Sequence, residues 1–278
     1  MTATTESSNS SPPAVKLRAL GFCGADDSVH PGQLALYSQS YPFVEWGVLF
    51  RPDKEGTARY ASPTWVQQLA AIAQKNTTAM QLAAHLCGER VNQVLAGDDS
   101  FVKNLTQWGF GRVQINATAV NGVDTSRLAE SVRDFLSVVV KYPMLEFILQ
   151  KNDETKPLWN GILELDDEAL GCLRGELPPN VSMLLDESKG TGVLATSWPT
   201  PPKEYRIGYA GGIGPDNISS VLEKVSVAAA GREVWIDMES RLRSEKNGKD
   251  VFDLDKCYQV IDAVCQANMH KHPSNLDV

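Results

Sequence analysis

The sequence predicts a single α/β domain in which eight parallel strands close into a (β/α)8 TIM barrel. Strand-like and helix-like segments alternate from residue 15 to residue 267, and no linker or change of composition divides them. About eight strand-helix units can be counted, which is the number that closes such a barrel. The alternative is an open doubly wound sheet, but no GxGxxG or GxxxxGK(S/T) motif follows the first strand.

The composition is that of a globular protein with a sizeable core. The chain has 278 residues, of which 42% are hydrophobic and 22% are charged, and this fits one barrel domain. A formal charge of −8, with no cluster of Lys and Arg, argues against a nucleic-acid partner. No apolar run approaches the ~20 residues that a membrane span needs, so we expect no membrane partner.

Cysteine usage and the terminal segments bear on compartment and boundaries. The five cysteines are widely spaced and form no CxxC pair, which favours reduced thiols in a cytoplasmic protein. The four histidines do not group at metal-ligand spacing, so we predict no metal site. Residues 1–14 are polar and rich in Ser and Thr, which predicts a disordered tail. We place the barrel at 15–268 and a C-terminal tail at 269–278.

The first four strands are short apolar runs bounded by turn residues, as in strands buried on both faces. They are VKLRALGF (15–22), FVEWGVLF (43–50), AMQLAAHL (79–86) and GRVQINA (111–117). The second strand is followed by a helix that begins at Ser62-Pro63, where serine caps the helix and proline takes its first turn. The other helices of this half are expected near 31–40, up to about residue 108, and at 126–142, where the apolar spacing is helical.

The second half repeats the same alternation. Its predicted strands are LEFILQ (145–150), VSMLLD (181–186), YRIGYAGG (205–212) and EVWID (233–237). Helical segments are expected from the fifth strand to about residue 175, after a cap at Asp216 or Asn217, and at 254–267. The glycine loop after the sixth strand leaves little room for a helix there.

Nearly every predicted strand ends on a polar side chain or a glycine. The strand-end residues are Cys23, Arg51 or Arg59, His85, Gln114 or Asn116, Gln150, Asp186, Gly211-Gly212, and Asp237 or Glu239. The carboxyl ends of the strands form the active-site face of a (β/α)8 barrel. The pattern therefore predicts an enzyme whose functional groups share one rim.

The segment AGGIGPDN (210–217) predicts a phosphate site. A strand that ends in Gly211-Gly212 and leads at once into a helix presents backbone N–H groups and the positive end of a helix dipole. Phosphate sites after the seventh and eighth strands recur in these barrels. The alternative is a tight turn that needs positive φ.

Taken in order, these motifs resemble the phosphoribosylanthranilate isomerase family of the ribulose-phosphate-binding barrels. The matching segments are FCG (22–24), GVLFRPDKEGTARYASP (47–63), VQINA (113–117), LLDESKGTG (184–192), AGGIGPDN (210–217) and WIDMES (235–240). The resemblance covers roughly residues 15–267, with the motifs at matching strands. Together they are fairly specific, whereas each alone would be weak.

The resemblance implies a reaction and roles. The family converts a phosphorylated ribosyl amine to an aminoketose, an Amadori rearrangement in tryptophan biosynthesis that needs an acid and a base but no cofactor or metal. By position, Asp186 would be the general acid and Cys23 the general base, and Arg59 would bind the substrate carboxylate. The phosphate-binding residues would be Gly190, Gly192, Gly211, Gly212, Glu239 and Ser240, and the loop that carries Gly190 and Gly192 would also close over the substrate.

The chain also departs from the family pattern. Asn116 stands where the family has histidine, Glu239 where a small residue is usual, and Arg241 where glycine is usual. His85 ends the third strand, across the barrel from Asp186, and we expect it to take part in catalysis or binding. Gln114, Asn116 and Gln150 are the remaining expected substrate-binding residues.

Two other functions stay open at this point. A diverged barrel could act on another phosphosugar as an isomerase or lyase, although no lysine ends a predicted strand and a Schiff base is therefore disfavoured. A non-catalytic barrel could bind a phosphorylated ligand, but it would not need an acid-base pair. In each case the expected partner is a small phosphorylated sugar, and the chain would be a monomer or a homodimer.

Overall fold

Eight parallel strands form the closed barrel that the sequence predicts. The computed structural model describes residues 16–75, 80–186, 193–195 and 197–267. Each strand pairs with the next in chain order, and the eighth pairs with the first. The predicted fold class is therefore confirmed. Both predicted tails, at 1–14 and 269–278, lie outside the described residues.

The barrel strands are short, and helices follow most of them. They are β1 (Lys16–Cys23), β2 (Val44–Phe50), β3 (Gln81–Leu86), β4 (Arg112–Ile115), β5 (Glu146–Lys151), β6 (Val181–Leu185), β7 (Ile207–Tyr209) and β8 (Glu233–Met238). The helices are α1 (Pro31–Ser40), α2 (Pro63–Lys75), α3 (Glu89–Leu95), α4 (Ser100–Gln107), α5 (Val132–Val139), α6 (Lys156–Glu164), α7 (Ile218–Ala229) and α8 (Leu254–Gln266). As expected, the described residues between β6 and β7 contain no helix.

Two helices are shorter than predicted. The segment expected to be helical over 126–142 forms a 3₁₀ turn and then α5, which ends at Val139. Pro143 follows closely, and a proline disfavours helical geometry in the residue before it. The helix expected to reach about residue 175 ends at Glu164, and Asp167 then bridges to Cys172 in a turn.

An antiparallel hairpin follows β8 and was not predicted. Its strands are β9 (Arg243–Lys246) and β10 (Lys249–Phe252). Arg243 is buried and donates to the Gly24 carbonyl at 2.8 Å and to Asp26 Oδ2 at 2.7 Å. The hairpin is thus tied to the loop after β1, across the seam where the barrel closes.

The outer surface of the strands packs against the helices in one large apolar core. The largest fully buried side chains of this layer include Trp46, Phe22 and Phe135. Burying such side chains contributes about 1.5–3 kcal/mol each before the entropy cost of ordering. Along the described chain, no helix combines the length and the apolar character that a membrane crossing requires.

The interior of the barrel carries a buried ion network near the amino ends of the strands. Arg112 of β4 donates to Glu45 of β2 at 2.8 Å and lies 3.5 Å from Glu146 of β5. Because β3 lies between β2 and β4, the Arg112–Glu45 contact must cross the inside of the barrel. Burial alone would raise the pKa of Glu146, but Arg112 and Arg18 outweigh it and hold that pKa at about 2.

Three strand glycines make room for large inward side chains. A Cβ on Gly21 would lie 2.3 Å from Asp237 Oδ1, and one on Gly47 would lie 2.9 Å from His85 Nε2. A Cβ on Gly208 would lie 2.1 Å from the Trp235 ring. These contacts are too short for any other residue, so the three glycines give the inward side chains their positions.

We predict that Gly208→Ala destabilises the barrel by about 1–3 kcal/mol, because the added methyl group overpacks the Trp235 ring. Gly111→Ala is the matched control, since a Cβ there meets nothing within 4 Å and its φ is not positive. Urea unfolding of both variants measures the difference. Equal stability of the two variants would contradict the packing argument.

Candidate active site

A cavity of about 530 Å³ opens at the carboxyl ends of the strands. It brings together most of the site residues predicted from the sequence, namely Arg59, His85, Gln114, Asn116, Gln150, Asp186, Gly211, Gly212, Glu239 and Ser240. Cys23 is not among the described lining residues, and Gly190 and Gly192 lie outside the described chain. A cavity of this size fits a small molecule.

Asp186 follows β6 directly and is 5% exposed. Gln150, the penultimate residue of β5, donates from Nε2 to Asp186 Oδ2 at 3.2 Å. The other amide atom of this residue, Gln150 Oε1, is buried and has no hydrogen-bond partner among the described residues. A buried acceptor without a donor is costly, so this atom is available to a donor group of a ligand.

His85 is the penultimate residue of β3 and occupies the space that Gly47 leaves open. Burial lowers the pKa of His85, and Arg112 lowers it further, to about 3. The imidazole is therefore neutral at physiological pH. In this form it can donate one hydrogen bond and accept another, which suits a substrate hydroxyl or carbonyl group.

Gln114 and Asn116 form a buried chain of hydrogen bonds in the cavity wall. Gln114 Nε2 donates to Asn116 Oδ1 at 2.7 Å, and Asn116 Nδ2 donates to Cys87 Sγ at 3.4 Å. Cys87 Sγ in turn lies 3.8 Å from Asn121 Oδ1 in the loop after β4. These contacts hold the two amides in fixed orientations at the cavity floor.

Asp237 lines the same cavity and is 8% exposed. Burial raises the pKa of this carboxyl well above its usual range, and the nearby carboxylates of Glu45 and Glu239 raise it further. From the sequence, this residue was noted only as a strand end. The signal that could have identified it is Gly21 in the adjacent β1, because that glycine creates the space for the carboxyl group.

Cys23 lies behind the cavity wall. Its side chain is 1% exposed and packs with Leu49 and Cys87. Burial raises the pKa of the thiol well above its usual range, and Glu239 and Asp237 raise it further. The role of Cys23 as general base is untested and stays a prediction. Its position and its raised pKa both work against a thiolate at the reacting atoms.

Arg59 lines the cavity but is already engaged with acidic groups. Its guanidinium contacts Glu239 at 3.2 Å and Asp250 at 3.3 Å, and it also donates to Ser240 Oγ at 3.3 Å. Its backbone has a φ of 75°, and its N–H donates to Asp26 Oδ2 at 2.6 Å. Glu239 therefore pairs with Arg59, and not with the arginines that follow it in the chain.

The glycine pair after β7 lies beside an arginine from the loop after β8. Gly211 and Gly212 have φ values of 104° and 61°, which other residues rarely adopt. Asn217, the predicted cap of α7, donates to the Gly212 carbonyl at 2.8 Å and accepts from Gly214 N at 3.0 Å. A Cβ on Gly214 would lie 2.4 Å from Arg241 Cβ, so the arginine stem crosses this loop in van der Waals contact.

Six lining residues were given no functional role from the sequence, although two of them, Arg51 and Asp237, were noted as possible strand ends. The six are Arg51, Lys54, Tyr60, Asn121, Asp237 and Arg241. One strand end was also predicted wrongly, because β5 extends to Lys151 and therefore ends on a lysine. The Lys151 ammonium donates to the Tyr205 hydroxyl at 2.8 Å and is not among the described cavity-lining groups, so it supplies no Schiff-base amine there.

The polar side chains that line the cavity are acids, amides and cations, which suit hydrogen bonding and proton transfer. In the described residues, no group of three or more His, Cys, Asp or Glu side chains is arranged to hold a metal ion.

Comparison with known proteins gives only structural likenesses. No known protein family matches the chain, and no curated protein matches it. Among solved structures, it is similar to a GH113 β-1,4-mannanase, with 8% identity, a TM-score of 0.49, and coverage of 90% of this chain and 99% of that one. It is also similar to a dihydrodipicolinate synthase from Agrobacterium tumefaciens, with 14% identity, a TM-score of 0.45, and coverage of 80% and 70%.

A third likeness is to the UMP synthase of Leishmania donovani, with 9% identity, a TM-score of 0.43, and coverage of 88% of this chain and 53% of that one. At such identities a likeness concerns the fold alone, and the pairing of the strands already establishes that fold. The function must therefore be argued from the cavity.

We predict that His85→Gln makes the protein less sensitive to acid. Unfolded histidine binds a proton below a pKa of ~6.5, whereas native His85 does so only near about 3. The unfolded state therefore binds more protons between pH 7 and pH 5, and His85 costs the native state about 2 kcal/mol over that interval. Urea unfolding at both pH values measures this. An equal loss of stability in the wild type and the variant would contradict the neutral assignment.

Proposed function

We propose that the protein is an aldose-ketose isomerase of a phosphorylated ribosyl amine, like phosphoribosylanthranilate isomerase. The observation that carries the proposal is that two buried carboxyl groups, Asp186 and Asp237, share a cavity with the glycine loop at 211–212 and with Arg241. An acid-base pair beside an anion site matches this reaction class. The ordered family motifs in the sequence point in the same direction.

The proposed reaction conserves all atoms of the substrate. The amine lone pair forms a C1′=N bond as the C1′–O4′ bond breaks, and the ring oxygen takes a proton from the general acid. A base then removes the C2′ proton, and the electron pair moves through C2′ and C1′ to the nitrogen. The resulting enolamine gains a proton at C1′ and loses one from its C2′ hydroxyl, which gives the ketose. Two side chains that carry protons suffice for these steps.

Asp186 is proposed as the acid that protonates the ring oxygen. Gln150 donates to one of its oxygens and so restricts the carboxyl group to one orientation. Asp237 is proposed as the base at C2′, in the role that the sequence suggested for Cys23. A carboxylate with a raised pKa is a stronger base than an exposed one, and Asp237 lines the cavity whereas the thiol does not.

The phosphate is proposed to bind at Gly211, Gly212 and Ser240, with Arg241 adding a positive charge. Backbone N–H groups at a helix start favour an anion, and a guanidinium adds charge-assisted hydrogen bonds. Arg241 lies 3.7 Å from Asp216, whose side chain is 87% exposed, so this ion pair is weak and can yield to a phosphate.

We expect the protein to isomerise N-(5-phosphoribosyl)anthranilate, and we expect Asp186→Asn to lower kcat by about 10²–10⁴-fold, the usual contribution of a general acid. Glu233→Gln is the control, because Glu233 is an exposed carboxylate at the opposite end of β8. The assay follows the aminoketose product in purified protein. An inactive but folded wild type would overturn the proposed function, and an active Asp186→Asn variant would overturn the assignment of the acid.

The pH dependence of kcat/KM tests Asp237. As a base this residue must be ionised, so activity should fall as the pH drops through its raised pKa, well above the pH at which an exposed Asp titrates. Asp237→Asn should lose about 10²–10⁴-fold in kcat. If this variant keeps wild-type activity while Cys23→Ala loses it, then the thiol is the base after all.

A further inference from the structure

Arg59, the expected carboxylate ligand, has little remaining capacity for an anion. It contacts both Glu239 and Asp250, and Asp250 also pairs with Arg243, so two guanidinium groups already face the three carboxylates of Glu239, Asp250 and Asp26. A substrate carboxylate placed beside it would have to displace Glu239 or lie close to two like charges. Like charges at such short range repel strongly in a partly buried site. The arginine of the family motif is therefore present as Arg59, but its guanidinium binds carboxylates of the protein itself and not a ligand.

Arg51 lines the same cavity but is less engaged with acidic groups than Arg59 is. It follows β2 directly, and its side chain is 17% exposed. Its charged contact is through Nε to Asp53, a side chain that is 63% exposed, at 3.0 Å. An exposed partner of this kind is screened by water and contributes little, so the positive charge of Arg51 stays available to a ligand.

Gly122, in the loop after β4, leaves the space that the Arg51 guanidinium occupies. A Cβ on Gly122 would lie 2.8 Å from Arg51 Nη2 and 3.1 Å from Arg51 Cζ. The arginine therefore reaches from the end of β2 across the loop after β3 to the loop after β4. In an eight-stranded barrel, β4 lies diametrically opposite β8, which precedes Arg241. The two cations stand on opposite edges of the cavity mouth.

Three further lining residues suit this edge to a planar anionic group. The Lys54 ammonium lies 5.5 Å from the centre of the Tyr60 ring, which adds a second positive charge beside an aromatic wall. Val120, from the loop after β4, lines the cavity with a 58% exposed side chain. The edge thus combines cations with apolar surface, as recognition of an aromatic carboxylate requires.

We infer that Arg51, assisted by Lys54, binds a second anionic group of the substrate, a carboxylate on its amine substituent, and that Arg59 does not. This inference rests on the proposed function, since it concerns the end of the substrate remote from the phosphate. The substrate then spans the cavity from Arg241 to Arg51, and its sugar lies between, next to Asp186 and Asp237. Arg59 instead fixes the loop after β2 to the loop after β8.

The test uses two stable ligands that cannot react. Both are 5-phosphoribitylamines, and the nitrogen carries a 2-carboxyphenyl group in one and a phenyl group in the other. Calorimetric titration gives the ratio of their dissociation constants for each protein. A charge-assisted pair makes the wild type prefer the carboxylated ligand by about tenfold or more. Arg51→Met should reduce this ratio to about one, and Arg51→Lys, which keeps the charge but not the planar fork, should give an intermediate value.

Arg59→Met and Arg127→Met complete the set. Arg127 is a 74% exposed arginine remote from the cavity and serves as the control for a lost positive charge. Both variants should keep the wild-type ratio. If Arg59→Met abolishes the preference and Arg51→Met retains it, the inference is overturned and the proposed function stands. If neither ligand binds to folded wild-type protein, the proposed function itself fails. Thermal unfolding of each variant establishes that it is folded.

Discussion

The site depends most on the ion pairs that the Arg112 guanidinium forms inside the barrel. This guanidinium joins Glu45 and Glu146 across the interior and lies 4.4 Å from the centre of the Trp235 ring. Removing one member of such a buried group leaves an unpaired charge, which costs about 3–5 kcal/mol. Burial is the main cause of the lowered pKa of His85, and the Arg112 charge lowers that pKa further. The base of the barrel thus helps to keep an imidazole at its mouth neutral.

The cationic and acidic side chains of the cavity differ in position and in burial. Arginines at opposite edges of the mouth remain partly exposed, whereas Asp186 and Asp237 lie below them and are nearly excluded from solvent. Exposed cations attract an anion at little cost in desolvation, while burial raises the pKa of Asp237, which suits that carboxyl group to acid-base chemistry. Strand glycines allow this arrangement, because Gly21 and Gly47 let Asp237 and His85 occupy the interior.

Local patterns predicted the fold and much of the rim, but they did not predict the partners of the rim residues. Each short apolar run that ended on a polar residue marked a strand end, so His85, Gln150 and Asp186 could be identified. The engagement of Arg59 depends on Glu239, 180 positions away in the chain, and no local spacing encodes that contact. The burial of Cys23 depends in the same way on Leu49 of β2 and on Cys87, which follows β3.

The ion pair between Arg243 and Asp26 joins residues 217 positions apart, at the seam between the first strand and the last. During synthesis, β1 can pair with β2 early, but its other edge stays open until the ribosome has delivered β8 and the hairpin behind it. A nascent sheet with an unpaired edge is prone to aggregation. Such a long sequence separation also slows folding, because the closure entropy must be overcome before the contact forms. Closure of this barrel therefore has to wait for β8 and the hairpin that ends at Phe252, and the β8-facing edge of β1 stays unpaired until then.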